Sequence, residues 1–415
     1  MASLTELEFE ARPGEGMTGV AESVRIHNDL DDLFISGGWF GDDDAEELGA
    51  ALAQHKYLKV LCLRGCSFAE RGLRCIVKAL KINTVLELSV EFCPFFKTKG
   101  SCAEIMSDLL RESSSSLERL HLSGTSFDEF GWIVFFNALK VNTSLKKFGI
   151  MLGDIGNASG EAIAGALVAN TSLKELSLTR CNLGAPALKA ITNALTINKT
   201  IKSLIINYND IGDTGAQALA DVLAVNTSLR ALYATKCCIG AMGWRALANA
   251  LMINSSLEGL GINDNKIGNS GAESLAKVLA STTSLKTLHV HGCGIVVAGM
   301  DVHETADVGR AWGSNLALSL NFPNFNFMLD STNDSTAVWE EACRVRNFVL
   351  RRREQLLTFG MATIQSPNPG LGRIFEGSED ESTLRSSGED RAACAFRFMG
   401  DDVFKLIGEA YGDYR

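Results

Sequence analysis

Leu173-Lys-Glu-Leu-Ser-Leu-Thr-Arg-Cys-Asn-Leu-Gly184 is followed, 28 residues after its first leucine, by Ile201-Lys-Ser-Leu-Ile-Ile-Asn-Tyr-Asn-Asp-Ile-Gly212. Counting the opening apolar residue as position 0, both stretches are apolar at +3, +5 and +10 and carry Cys or Asn at +8. Apolar residues return at +18 and +22, as Ile191 and Leu195 in one copy and Leu219 and Leu223 in the next. The phrase opens again at Leu145, Leu229, Leu257 and Leu285 at the same 28-residue interval. Towards the N-terminus it opens at Leu117, at Val85 after a small insertion, and at Leu58 and Leu30. Self-similarity at a fixed period of this length marks a chain of stacked supersecondary units.

Each copy can be read physically. Positions 0, +3 and +5 suit a short strand whose last two apolar side chains share one face. Positions +18 and +22 are one helical turn apart, inside Ala-rich stretches such as Gly215-Ala-Gln-Ala-Leu-Ala-Asp-Val-Leu223. Paired glycines (Gly212 and Gly215, Gly240 and Gly243, Gly268 and Gly271) punctuate the strand-to-helix turn. Asn142, Asn170, Asn198, Asn226 and Asn254 close the helices, where a left-handed Asn is expected. No single unit can bury its apolar face, but stacked neighbours can. The strands then form one parallel sheet, about 4.8 Å apart, with the helices on the other side.

The phrase from Asn170 to Gly184 resembles the leucine-rich repeat of the ribonuclease-inhibitor type, as found in NOD-like receptors, ribonuclease inhibitors and Ran GTPase-activating proteins. The resemblance spans residues 30–295. It implies an α/β solenoid, a horseshoe with parallel strands on the concave face and helices on the convex face, that binds proteins on the strand face. It also implies that position +8 points inward and bonds the turn between repeats, with Cys standing in for Asn. Leu4, Leu7 and Phe9 repeat the 0, +3, +5 spacing, so residues 1–29 are expected to be a degenerate capping repeat. Register is lost after Ile295, and residues 296–360 are expected to form a cap with a strand at 316–320 and a helix over 339–357. Residues 361–395 are Ser-, Gly- and acid-rich and read as a linker. Residues 396–415 read as an amphipathic helix carrying Val403, Phe404, Ile407 and Tyr411, which completes a mostly helical C-terminal extension.

Composition narrows the function classes. The 415 residues are 46% hydrophobic and 21% charged with net charge −10, a globular composition unlike that of a duplex nucleic-acid binder. No apolar run reaches the 18 residues of a membrane span, and the start lacks the profile of a secretory signal, so a cytoplasmic protein is expected. Eleven scattered cysteines, an odd number, do not suggest a disulfide framework, and five of them (Cys66, Cys93, Cys181, Cys237, Cys293) occupy position +8. Most of the Asn-x-Ser/Thr matches are the repeat's own helix-closing Asn and its polar followers. Gly14-Glu-Gly-Met-Thr-Gly19 matches a dinucleotide fingerprint, but the segment before it is half acidic and a leucine-rich array follows, so a turn in the capping repeat is expected and no cofactor. A phosphate-binding loop of the Gly-x-x-x-x-Gly-Lys-Ser/Thr kind is absent. His289, His291 and Cys293 alternate along one strand, yet the cysteine should point away from the two histidines, so no metal site is expected. No nucleophile with its base and no paired carboxylates stand at a catalytic spacing, so no catalytic residue is assigned.

Function should therefore lie on the concave face, at positions +1, +2, +4, +6 and +7. Basic residues outnumber acidic ones there although the chain as a whole is acidic. The candidate binding residues are Arg64, Glu91, Phe92, His121, Met151, Arg180, Tyr208, Tyr233, Lys236, His289 and His291, with Arg180, Tyr208, Tyr233 and Lys236 as the expected hot spot. The resulting expectation is a monomeric, non-enzymatic scaffold for a protein partner with an acidic contact face, binding neither nucleic acid nor membrane. Two alternatives are a GTPase activator similar to the Ran type and a ubiquitin-ligase substrate receptor. The latter rests on Phe398 to Ile407, which faintly resembles the opening of an F-box.

Overall fold

The computed structural model describes residues 5–293, apart from 17–18, 28, 40, 67, 94–100, 113–115, 126, 269–270, 283 and 291. The expected C-terminal cap, linker and final helix lie outside the described residues. The strands are β1 (Glu6–Gly16), β2 (Asp32–Trp39), β3 (Val60–Arg64), β4 (Glu87–Glu91), β5 (Arg119–Ser123) and β6 (Lys147–Met151). They continue as β7 (Glu175–Thr179), β8 (Ser203–Ile205), β9 (Ala231–Tyr233), β10 (Gly259–Gly261) and β11 (Thr287–His289). Between them run α1 (Val20–Ile26), α2 (Asp42–Gln54), α3 (Glu70–Leu80), α4 (Ser101–Arg111) and α5 (Glu129–Leu139). The remaining helices are α6 (Gly160–Ala169), α7 (Ala185–Ile197), α8 (Gly212–Leu223), α9 (Ala241–Ile253) and α10 (Ala272–Ser281). This is an α/β leucine-rich solenoid, its eleven strands paired in chain order in one parallel sheet.

Register follows the repeat. The +3 residues lie opposite one another from Leu33 and Leu61 through Phe148 and Leu176 to Leu260 and Leu288. Residues at 0, +3 and +5 are buried in one continuous core, and each helix packs on the next. Where α5 packs, the core is aromatic: Phe135 stacks on Phe148 at 5.1 Å between centroids, and Trp132 meets Phe127 at 4.7 Å. The segment Gly14–Gly16 belongs to β1 instead of the expected turn, beyond a register shift between Ala11 and Gly16.

Strands of three to five residues leave many backbone groups near the core without ladder partners, and side chains satisfy them. The helix-closing asparagines do this at one end of each repeat. Asn226 Nδ2 donates to Leu195 O (2.6 Å) and Asn198 O (3.4 Å) of the preceding unit, while its Oδ1 accepts from Ser228 N and Leu229 N (both 2.8 Å). Asn170 and Asn198 make the same set, and Asn254 likewise. These residues are extended, with φ −76°, −64° and −76° at Asn170, Asn198 and Asn254, and not left-handed as expected. The amide must reach sideways into the neighbouring repeat, which an extended backbone allows. His55 takes the role in the early array: Nε2 lies 3.0 Å from His27 O and Nδ1 accepts from Leu58 N at 3.1 Å.

Position +8 serves the other end of the strand, and there the array has a longer period than its sequence spacing suggests. Cys181, Cys237 and Cys293 direct Sγ to the +5 carbonyls of Ile150, Ile206 and Ile262. The intervening Asn209 and Asn265 donate to Leu178 O and Ala234 O, and also accept from the +8 and +10 N–H groups of the preceding repeat. Cys and Asn thus alternate instead of merely substituting. The turns after Cys181 and Cys237 are left-handed at Asn182 and Cys238, and those after Asn209 and Asn265 at Gly212 and Gly268. Helix capping also crosses repeats: Asp42, Asn157 and Asp213 each accept from two first-turn N–H groups of the next unit's helix.

Replacing Asn226 by Ala leaves Leu195 O and two N–H groups in the core without partners, and Asn198 O with Ser228 Oγ alone, so stability should fall by about 2–3 kcal/mol. Asn193→Ala, on the exposed side of α7, should change it by less than about 0.5 kcal/mol. Denaturant unfolding of the two variants side by side checks this.

Candidate protein-binding face

Strand alternation sends +2, +4 and +6 to the face opposite the core, and +7 follows as the chain leaves the sheet. Position +7 has one conformation throughout. Gly37, Gly65, Gly124 and Gly292 have φ between 63° and 72°, and Phe92, Leu152, Arg180, Tyr208, Lys236 and Asp264 have φ between 51° and 59°. The conformation lets the +7 N–H bond the +6 carbonyl of the next repeat, as Arg180 N to Asn207 O (2.9 Å), Tyr208 N to Thr235 O (2.7 Å) and Lys236 N to Asn263 O (2.9 Å). Glycine adopts this geometry freely, whereas a side chain costs about 1–2 kcal/mol. Four repeats take the glycine, and five consecutive ones, from Leu152 to Asp264, do not.

Those side chains form a ladder along one lip of the sheet. Arg180 Cζ lies 4.9 Å from the Tyr208 ring centroid and Lys236 Nζ 5.2 Å from it, the two cations coming from the repeats on either side. Lys236 Nζ is 3.9 Å from Asp264 Oδ2. The Asp264 carboxylate lies over Gly292, where a Cβ would collide with it. Cation–π contacts of this exposure contribute about 0.5–1 kcal/mol each, enough to preset the side chains but not to offset the backbone cost.

Three of the four expected hot-spot residues therefore meet: Arg180, Tyr208 and Lys236. Tyr233 sits at +4, half-buried, its ring leaning over Gly261, whose Cβ would come within 2.6 Å of it. Burial, then the Glu175 carboxylate, pushes the Tyr233 hydroxyl above its usual pKa. Arg64 is exposed and pairs with Glu91 at 3.8 Å. Phe92 is half-buried against Gly124, where a Cβ would stand 2.7 Å from its ring. His289 is exposed at the end of β11, and His291 is outside the described residues.

Glu91, His121 and Met151, expected as exposed anchors, are instead buried, at 6%, 8% and 6% of full exposure. Strands about 4.8 Å apart bring +4 and +6 side chains into contact with their neighbours. Ser89 Oγ donates to Glu91 at 2.9 Å, and the His121 ring fills the space beside Gly149, where a Cβ would lie 2.8 Å from it. Burial depresses the His121 pKa against the opposing pull of Glu91. The expected basic excess of the face is also largely consumed by ion pairs between adjacent repeats. Lys59 pairs with Asp31, Arg119 with Glu87, Lys147 with Glu175, Lys146 with Glu118, and Arg230 and Lys286 with Glu258. Among the described residues no carboxylate pairs with Lys174 or Lys202, which stand at +1, at the opposite end of the strands from the ladder. Asp264, which meets Lys236, was not among the candidate binding residues. The mixed glycine and side-chain column at +7 was the available signal.

Cys293 turns into the core while His289 faces out, so these two do not converge on a metal. Burial pushes the Cys237 thiol up to about 12 and that of Cys293 up to about 11. The nine described cysteines are all free thiols.

The family description Leucine Rich repeat matches residues 169–191, 198–220 and 254–276. No curated protein matches the chain. Among solved structures, one titled Leiomodin-1 Actin-Binding Site 2 is similar at 19% identity and TM-score 0.27, covering 43% of this chain and 82% of that one. A Caenorhabditis elegans tropomodulin C-terminal domain is similar at 15% identity and TM-score 0.29, covering 45% of this chain and 93% of that one.

Two outcomes follow from the geometry. Gly124→Ala should cost about 2 kcal/mol in thermal or denaturant unfolding, since it adds left-handed strain and a clash with Phe92. A thiol reagent at pH 8 should modify exposed Cys238 in the native protein and leave Cys181, Cys237 and Cys293 unreacted until denaturant is added, as peptide mapping would show.

Proposed function

Because the chain is a leucine-rich repeat protein, we propose that it is a non-enzymatic scaffold that holds a protein partner on its strand face, centred on the lip of Arg180, Tyr208, Lys236 and Asp264. The ribonuclease-inhibitor kind of repeat and an intracellular setting belong to the same reading, and the free thiols support the latter. The observation that carries it is the run of side chains held left-handed where other repeats use glycine. Strain of this kind persists where a site needs the side chain. Tyr and Arg are the residue types that most often anchor interfaces, and the ladder holds both in fixed orientations before any partner arrives.

The partner's contact face is acidic in this reading. The cations on Tyr208 present a guanidinium and an ammonium together, and Lys174 and Lys202 add positive charge at the far end of the same strands. Such complementarity raises the association rate and makes binding salt-dependent. A single chain offers the whole ladder, so the protein acts as a monomer.

The test is capture from native lysate by the full chain and by an Arg180→Ala, Tyr208→Ala, Lys236→Ala variant, followed by affinity measurement on the captured partner. The variant should bind at least about 30-fold more weakly, and its loss should shrink at high salt. A partner held equally well by both proteins overturns the assignment of the lip.

A further inference from the structure

The first strand leaves one edge of the sheet open. Inside the array the N–H at +5 donates to the +4 carbonyl of the next repeat, as Ile206 N to Tyr233 O (2.8 Å), Ala234 N to Gly261 O (2.7 Å) and Ile262 N to His289 O (2.9 Å). The N–H at +7 goes likewise to the next +6 carbonyl. Residues at even positions therefore turn their backbone groups towards the preceding repeat, and those at odd positions towards the following one. Among the described residues no strand precedes β1, so Glu6, Glu8 and Glu10, at +2, +4 and +6, direct N–H and C=O groups outward. The apolar column is open at the same edge. Leu33 and Ile35 of β2 are fully buried, whereas Leu7 and Phe9, which lie opposite them in β1, are only half-buried. The last unit of a stacked array has an apolar flank that no neighbour covers. The side chains of Glu6, Glu8 and Glu10 are exposed on the concave side, and among the described residues no cation pairs with any of them. Nearby, burial and the Asp31 and Glu6 carboxylates hold the Asp32 carboxyl above its usual pKa, and Lys59 is engaged by Asp31 at 2.9 Å. The edge is thus a row of unpaired backbone groups with glutamates on one face and exposed apolar surface on the other.

We propose that this edge docks an extended segment of another protein that carries Lys or Arg at every second residue and branched apolar residues between them. Such a segment adds a strand outside β1. Its backbone pairs with the N–H and C=O groups of Glu6, Glu8 and Glu10. Its cations stand beside the three glutamates, and its apolar side chains cover Leu7 and Phe9. Period-two alternation on the ligand matches period-two alternation on β1, and a one-residue slip would set apolar residues against the glutamates. Dimensions agree: Glu6 to Ala11 pair with Asp32 to Gly37 without a break, an edge about 20 Å long, which suits a segment of about six residues. A second copy of the chain fits poorly. Pairing β1 with another β1 sets the glutamate rows together, and like charges directly opposite are destabilising. Charge on an open edge also guards it against indiscriminate pairing, so the row selects which strands add.

Titration of the full-length chain with a synthetic Lys-Val-Lys-Val-Lys-Val-Lys peptide, read by residue-resolved hydrogen exchange, tests this. In the free chain the amides of Glu6, Glu8 and Glu10 should exchange freely, while those of Leu7 and Phe9, which face β2, are protected. Saturating peptide should slow exchange at Glu8 and Glu10 at least about tenfold. A Glu6→Lys, Glu8→Lys, Glu10→Lys variant should bind this peptide at least about tenfold more weakly and take up a Glu-Val peptide of the same length instead. Glu8→Pro removes an N–H that faces outward, so it should keep the wild-type unfolding midpoint and lose the peptide. Binding that survives Glu8→Pro would mean charge attraction without strand addition, and overturns the proposal. So does the absence of binding to the wild type, which would leave the glutamates as a guard alone. Protection of Glu8 in the free chain would mean that the chain itself fills the edge. If that protection falls on dilution, a second copy fills it. Either result overturns docking of a foreign strand. Because none of these substitutions touches the lip, failure here leaves the reading of Arg180, Tyr208 and Lys236 standing.

Discussion

A parallel sheet whose strands from β3 onward are only three to five residues long cannot satisfy its own backbone, and the side-chain amides of Asn170, Asn198, Asn226 and Asn254 make up the shortfall. Each joins two repeats at once, donating backward and accepting from its own turn. An unpaired backbone group in this core would cost about 1–3 kcal/mol, comparable with what one repeat gains from burying its leucines. Stacking is therefore held by polar bonds as much as by the apolar column, and those bonds enforce the 28-residue spacing. At the other end of the strands from β7 onward the alternating Cys and Asn at +8 do the same work, and the left-handed residue at +7 lets its N–H pair with the next repeat.

That last constraint links fold to function. A left-handed residue at +7 projects its side chain along the lip of the sheet, towards the corresponding residue of the next repeat. Where the residue is glycine the lip is bare. Where it is Arg180, Tyr208, Lys236 or Asp264, neighbouring side chains meet as cation–π and ion-pair contacts without any contribution from the strands themselves. The ladder thus arises from the backbone rule that stacks the repeats, and its chemistry is set one residue per repeat. Ion pairs elsewhere on the face, such as Arg119 with Glu87, neutralise charge that would otherwise compete with it.

Much of this was legible in the sequence. The apolar spacing from Leu173 to Leu195 specifies strand, turn and helix, and the recurrence of the phrase specifies how they stack. Arg180, Tyr208 and Lys236 were legible as a group because all three occupy the same position in consecutive repeats. The burial of Glu91, His121 and Met151 was not, because it depends on what stands beside them in the sheet: Gly149 of the next strand beside His121, and Arg64 of the previous strand with Ser89 of its own strand beside Glu91. Nor was the 56-residue alternation of turns, though Cys181, Asn209, Cys237, Asn265 and Cys293 spell it out. Both residue types bond the same carbonyl, and only Asn also accepts from the preceding turn. The left-handed column was hidden by its own content, since Arg, Tyr and Lys are residues one does not expect at positive φ.

The central claim is that the lip keeps its side chains at a cost to stability. One comparison tests it directly: the wild-type chain against an Arg180→Gly, Tyr208→Gly, Lys236→Gly variant, followed by denaturant unfolding and by partner capture on the same preparations. Glycine relieves the left-handed strain, offset in part by its greater freedom in the unfolded chain. The account predicts that the variant is as stable as the wild type or more so, and that it no longer holds the partner. A variant that is less stable by about 1 kcal/mol or more per site, and still binds, would contradict it.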